Sequence, residues 1–380
     1  MGFKTIQLKI LEKHRGRKLR ASHKNKRLCI LWILNFKLRE MKKLWFGIIC
    51  IIFLVNCKSN KEEEENAVHA NSREDIAKVK TEIPDGVKVP EGMVWVPGGN
   101  FTQGAVNEDK MAMAHEKPTH MVAIDGFFMD KTEVTNAEFC EFVEATGYVT
   151  VAERKIEWEE MKTQLPPGTP KPHDSILQPG SLVFKKTKSS VLNLYDYSQW
   201  WEWKIGANWR HPQGPGSDLE EKDNYPVVHI AFEDAQAYCQ WAGKRLPTEA
   251  EWEWAAKGGL EGARFSWGNN EKVLSEHANT WEGEFPAKNT RKDGFENKAP
   301  VKSYPANGYG LFDMAGNVWE ITQDWYNINY YKDRSTKGVA KNPRGAEESY
   351  NPNNHPNMKE KVIKGGSFLC NASYCASFRP

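Results

Sequence analysis

Ala242-Gly-Lys-Arg-Leu-Pro-Thr-Glu-Ala-Glu-Trp252 contains a complete helix start. Thr248 and Glu251 make a capping box, in which a hydroxyl and a carboxylate three residues apart satisfy each other's backbone N–H groups. The helix is expected over Glu249 to Ala256, and Gly258-Gly259 closes it, because glycine takes the left-handed conformation at a helix end without steric cost. Working back toward the N-terminus, a second helix is expected from about Phe232 to Ala242, with Ala235, Tyr238, Cys239 and Ala242 on one side. A third begins at the N-cap Thr135, and its Phe139, Phe142 and Val143 share a face up to Gly147. Met93-Val-Trp-Val-Pro-Gly-Gly99 reads as a short strand entering a turn, and His120 to Met129 alternates well enough to be a second strand.

Beyond Gly259 regular periodicity nearly vanishes, while Gly, Asn, Asp and Trp alternate as far as Gly366. Such a stretch is either ordered loop or disordered. Trp267, Trp281, Tyr309, Phe312, Trp319 and Trp325 supply apolar area that a disordered tract would lack, so order is expected. An ordered loop domain needs staples, and oxygen-ligated Ca²⁺ is one physical solution. The 15 Trp, 29 Gly and 20 Pro in 380 residues point the same way, to a loop-rich α+β domain. The formal charge of +2 gives no field for a nucleic-acid or strongly acidic partner.

The N-terminus reads as an address. Met41-Lys-Lys is followed by an apolar run from Leu44 to Val55 and then by Cys57, a signal peptide too short to span a bilayer comfortably. Leu54-Val-Asn-Cys57 resembles a bacterial lipoprotein cleavage site with Cys57 lipidated, although an uncleaved signal anchor is the alternative. Residues 1–40 are basic and fit no export signal, so the true start is expected at Met41. Residues 1–57 are thus extension and signal peptide, 58–89 a polar tether, and 90–380 the functional domain. The expectation is an exported bacterial lipoprotein of the periplasm or outer membrane, held to the membrane by its lipid.

Five segments then carry a resemblance. Gly206-Ala-Asn-Trp-Arg-His-Pro212, Ala242–Trp252, Asn307-Gly-Tyr-Gly-Leu311, Gly316-Asn-Val-Trp-Glu320 and Gly365-Gly-Ser-Phe-Leu-Cys-Asn-Ala-Ser-Tyr-Cys375 together closely resemble formylglycine-generating enzymes, also called sulfatase-modifying factors. The likeness runs in order from about Met93 to Pro380 and implies a mixed α/β fold, poor in regular structure and related to the C-type lectin fold. It implies a monomer that oxidises a cysteine in an unfolded Cys-x-Pro-x-Arg segment of a sulfatase-like client to Cα-formylglycine.

Taken alone, a Cys-x4-Cys pair in an exported protein is more often a structural disulfide. The resemblance instead implies that Cys370 and Cys375 hold Cu(I) as soft thiolates, that the client cysteine adds a further thiolate, and that O2 removes a hydrogen from its β-carbon. Ser367 and Tyr374 match positions beside the metal, where hydroxyls orient oxygen and substrate; a turn hydroxyl and a core aromatic are their plainer roles. Two Ca²⁺ sites are implied as well: Asn279, Thr280, Asp293 and Phe295 at one, Asp313, Gly316, Val318 and Glu320 at the other.

The family continues past the position of Pro380, so the domain is expected to be truncated there, and Cys239 matches a cysteine whose disulfide partner would lie beyond it. Cys140 reads as a small buried apolar residue. Two rival readings stay open. One is a copper-free, disulfide-bonded envelope lipoprotein that uses the fold for structural or interaction work. The other, an iron-dependent sulfoxide synthase of the ergothioneine type, needs a helical domain with a histidine cluster, for which the sequence ahead of Met93 shows no pattern.

Overall fold

The computed structural model describes residues 77–105 and 109–380. In chain order its strands are β1 (Met93–Val96), β2 (Gly99–Gln103), β3 (His120–Ile124), β4 (Phe127–Asp130), β5 (Gly180–Phe184), β6 (Trp201–Ile205), β7 (Gly283–Glu284), β8 (Lys288–Asn289), β9 (Glu320–Trp325), β10 (Ala340–Lys341) and β11 (Lys361–Lys364). The α-helices are α1 (Asn136–Thr146), α2 (Trp158–Met161), α3 (Phe232–Trp241), α4 (Glu249–Lys257), α5 (Leu274–His277) and α6 (Tyr330–Ser335). The fold is α+β and loop-rich: small sheets and short helices joined by long ordered connections.

The three helices read from the sequence stand within a residue of their expected ends. At α4, Thr248 Oγ1 accepts from the Glu251 N–H at 3.0 Å and Glu251 Oε2 accepts from the Thr248 N–H at 2.9 Å. Gly258 ends the helix at φ 56°. Side chains of the same segment then tie α4 to its surroundings. Arg245 forks onto both Glu251 oxygens at 2.7 Å. Lys244 reaches Asp130 at the end of β4, Trp254 Nε1 donates to the Pro97 carbonyl, and Glu253 accepts from the Gly104 N–H. Trp252, fully buried, packs with Val96, Ala255, Ala256, Leu311 and Met314. The helix therefore lies against β2, β3, β9 and β11 and joins the early strands to the late ones.

Two expectations are corrected. The stretch from His120 to Met129 is not one strand: β3 pairs with β2 through Gly99↔Ile124, whereas β4 pairs with β1 through Val96↔Phe127. The chain breaks at Asp125-Gly126, where a side chain at Gly126 would meet the Trp95 indole at 2.2 Å. The loop-like second half also holds a six-residue strand, β9, paired antiparallel with β11. Its inward positions are polar. Thr322 is buried and donates to the Val362 carbonyl at 3.0 Å, and buried Asp324 accepts from the Glu249 N–H at 3.0 Å. An apolar alternation is therefore missing from a strand whose inner face serves hydrogen bonds.

The stretch expected as tether is described from Ala77, and there it lies against the domain. The Ala77, Lys80 and Thr81 carbonyls accept from Asn100 Nδ2, the Gly126 N–H and Trp95 Nε1. Residues 1–76, with Cys29, Cys50 and the expected lipidation site Cys57, lie outside the described residues. No helix among the described residues is long and apolar enough to cross a membrane.

Candidate redox and cation sites

The chain leaves β11 through Gly365-Gly366, both at positive φ. A Cβ at Gly366 would come within 2.9 Å of the Phe378 backbone N and within 3.2 Å of Cys370 Sγ, so glycine lets the turn run close behind the cysteine loop. The Cys370 N–H donates to the Ser367 carbonyl at 2.8 Å, and the Cys375 N–H to the Asn371 carbonyl at 2.7 Å. These two turns bring the Cα atoms to 4.8 Å, inside the range a disulfide spans, and the sulfurs are joined. The structure thus draws the two expected ligands together as a linked pair. Cys370 is buried and Cys375 partly exposed.

Asn371 fixes the loop between the cysteines. Its amide donates to the Trp281 carbonyl at 2.8 Å, and its Oδ1 accepts from the Ser373 N–H and hydroxyl. Tyr374 stacks on Phe285 with ring centres 4.6 Å apart and meets Trp200 and Tyr197 edge-on. Burial, with the neighbouring Tyr197 adding to it, pushes its phenol well above the usual range, so it stays a protonated donor at neutral pH. Ser367 is buried, and its Oγ accepts from the Leu369 N–H at 3.3 Å, which leaves the O–H to donate. One partly exposed sulfur beside an aromatic wall and a neutral phenol can receive an extended peptide carrying a thiol. The donor set fits Cu(I) once reduced, since the two sulfurs already meet and soft ligands select that ion.

The first expected cation site is drawn together around Asp293. Its Oδ2 accepts from the Thr280 N–H at 3.0 Å and its Oδ1 from the Phe295 N–H at 3.1 Å, while Asn279 donates to the Asn297 carbonyl. Thr280 Oγ1 is buried without a hydrogen-bond partner among the described residues. At the second site Asp313, Gly316 and Asn317 all take positive φ, and a Cβ at Gly316 would meet the Asn279 carbonyl at 2.1 Å. Val318 lies between this run and Glu320. Burial pushes Asp313 up to about 6 and Glu320 up to about 7. Glu133 joins them: burial first, then the charges of Asp313 and Glu320, raise its carboxyl far above the usual value. Asp313 Oδ1 and Glu133 Oε2 have no hydrogen-bond partner among the described residues. No three His, Cys, Asp or Glu side chains among the described residues converge as a ready-made metal cage. Unpartnered buried carboxyl oxygens that repel one another nevertheless fit a hard cation completed by backbone carbonyls.

Residues 80–380 match the sulfatase-modifying factor enzyme 1-like domain family. The chain belongs to that family. It is similar to the formylglycine-generating enzyme of Bos taurus, 42% identical over 315 residues that cover 82% of this chain and 75% of that protein. The likeness to the formylglycine-generating enzyme of Mycobacterium tuberculosis is 42% over 292 residues, 76% of this chain and 90% of that one. A third relative bears a different name: the inactive Cα-formylglycine-generating enzyme 2 of Bos taurus, 39% identical over 249 residues, 65% of this chain and 75% of its own length. Membership in the sulfatase-modifying factor family therefore does not by itself separate catalyst from non-catalyst, and the cysteine pair bears that question.

Sequence reasoning missed Glu133, Asn371 and Arg379. Asn371 carried a signal, since an Asn in a loop commonly opens an Asx turn by accepting the N–H two residues on, here that of Ser373. Glu133 carried none: it lies 180 residues from Asp313 along the chain, and only folding brings the two together.

Proposed function

We propose that this protein oxidises a cysteine in a Cys-x-Pro-x-Arg segment of a sulfatase-type client to Cα-formylglycine, using O2 and Cu(I). The observation that carries the reading is the meeting of Cys370 and Cys375 sulfurs at the end of an aromatic wall, in a family whose similar members are named for this product. Copper, when bound by the reduced pair, would supply one-electron chemistry with O2.

The chain's own residues hold the client. Tyr374 and Phe368, partly exposed and backed by the buried Phe285 and Trp200, offer an apolar face to an extended peptide, and the Tyr374 and Ser367 hydroxyls donate to oxygen atoms on client or oxidant. Replacing the client's thiol-bearing methylene by an aldehyde, with release of hydrogen sulfide, removes two electrons. O2 accepts four on its way to water and the aldehyde oxygen, so a thiol reductant gives the other two and leaves as a disulfide. The asparagine and carboxylate loops around Asp293 and Asp313 take Ca²⁺ and hold the loop-rich half in place. Cys57 carries the lipid that tethers the enzyme at the cell envelope.

The joined sulfurs favour one second reading, a copper-free protein with a structural disulfide. Cys370→Ser and Cys375→Ser separate the two. After mild reduction each variant is expected to lose Cu(I) in competition with a Cu(I) chelator and to stop converting the peptide, as read by mass spectrometry. Undiminished conversion in either variant would sink the oxidase mechanism.

A further inference from the structure

Once Cys370 and Cys375 are reduced, only non-covalent ties decide how close their sulfurs stay. The Cys370 end is fixed by burial, by its carbonyl accepting from the Trp281 N–H at 2.9 Å, and by the close passage of Gly366. The Cys375 end is held differently. The residue after it, Ala376, gives its carbonyl to Arg379 Nε at 2.9 Å. The same guanidinium pairs with Asp109 and donates from its second terminal nitrogen to the Met111 carbonyl at 3.0 Å and to Glu116 at 3.0 and 3.2 Å. Arg379 is 6% exposed and Asp109 5%. Met111, on the far side of this fastening, packs against the cluster that contains Cys370, Cys375 and Phe378.

Filling this space needs no charge. Desolvating a guanidinium and a carboxylate costs several kcal/mol unless every bond is made, and an apolar side chain of similar length would pack at less cost. What the planar fork adds is simultaneous reach to acceptors on two segments in fixed directions. We infer that Arg379 is a positioning residue for the Cys370–Cys375 pair, fastening the backbone just after Cys375 to the 109–116 loop and so setting how readily the two sulfurs join. The inference rests on the redox reading of that pair.

The test equilibrates the full chain with reduced and oxidised glutathione and counts free thiols by alkylation and mass. In each turnover the two protein thiols give two electrons and two protons to one glutathione disulfide, yielding one protein disulfide and two glutathione thiols. Arg379→Gln is expected to lower this equilibrium constant about tenfold, equivalent to about 30 mV for a two-electron couple. Arg379→Lys should not restore it, because a point charge cannot serve both carboxylates and both carbonyls. A purely structural arginine would lower the melting temperature and leave the constant, read well below melting, where it was. A folded Arg379→Gln with a constant within about twofold of wild type overturns the inference. If that variant does not fold, Asp109→Asn takes its place, with a drop of about threefold expected and an unchanged constant overturning the inference. Peptide oxidation plays no part in this readout, so a wild-type protein that made no formylglycine would refute the proposed activity and leave the Arg379 result standing.

Discussion

Asp324 is 3% exposed, on an inward position of β9, and its Oδ2 accepts the N–H that opens α4. Burial first and the charge of Glu249 second push its carboxyl up to about 7. A carboxyl raised in the folded state binds a proton that the unfolded chain has already released, so stability falls as pH rises from about 4 to about 7. Asp324→Asn keeps the acceptor and removes the ionisation. It is expected to be near neutral at pH 4.5 and to stabilise by about 1–3 kcal/mol at pH 8, since each tenfold change in proton affinity is worth about 1.4 kcal/mol. Urea midpoints at the two pH values check this, and an equal difference at both would contradict it. Such residues were illegible in the sequence, where Asp324 looks like any other acidic residue of a polar stretch. Cys370 and Cys375 were visible from spacing and flanking glycines, yet spacing alone could not say whether they serve as thiols or as a bridge.

At the scale of elements, α1, α3 and α4 were legible because a cap and a face lie within a dozen residues. Thr248→Ala removes the α4 cap and should cost about 1 kcal/mol, the usual loss for an N-cap hydroxyl. The penalty should be larger in this protein if the box also orients Glu251 for Arg245, as their fork implies. Chemical denaturation of Thr248→Ala and of Arg245→Ala, singly and together, measures that coupling; additive losses would show that the two contacts act independently. The strands were less legible. β3 and β4 merge in sequence because both are apolar and only the Asp125-Gly126 turn separates them, and β9 hides because its buried side chains are hydrogen-bond partners of α4 and β11.

For the whole molecule, the long second half is ordered as its tryptophans suggested, and its two carboxylate loops meet where the Asn317 N–H donates to the Asn279 carbonyl at 2.9 Å. Ca²⁺ at a hundredfold excess over its dissociation constant should add about 2.7 kcal/mol at each site. Scanning calorimetry in Ca²⁺ against chelator should show the gain from both sites in the wild type and only the part from the Asp293 site in Glu320→Gln. Identical melting in both buffers would contradict a structural cation. The central claim, that this fold is an oxidase for protein cysteine, is tested most directly on a synthetic Cys-x-Pro-x-Arg peptide. Reduced, copper-loaded enzyme and peptide are incubated in air with a thiol reductant, and the product is read by mass spectrometry. The expected product is a peptide whose cysteine has lost its sulfur and gained an aldehyde oxygen, with no such product under argon. A peptide recovered intact, or only as its disulfide, while the Cys370–Cys375 pair is reduced and holds Cu(I), would contradict it.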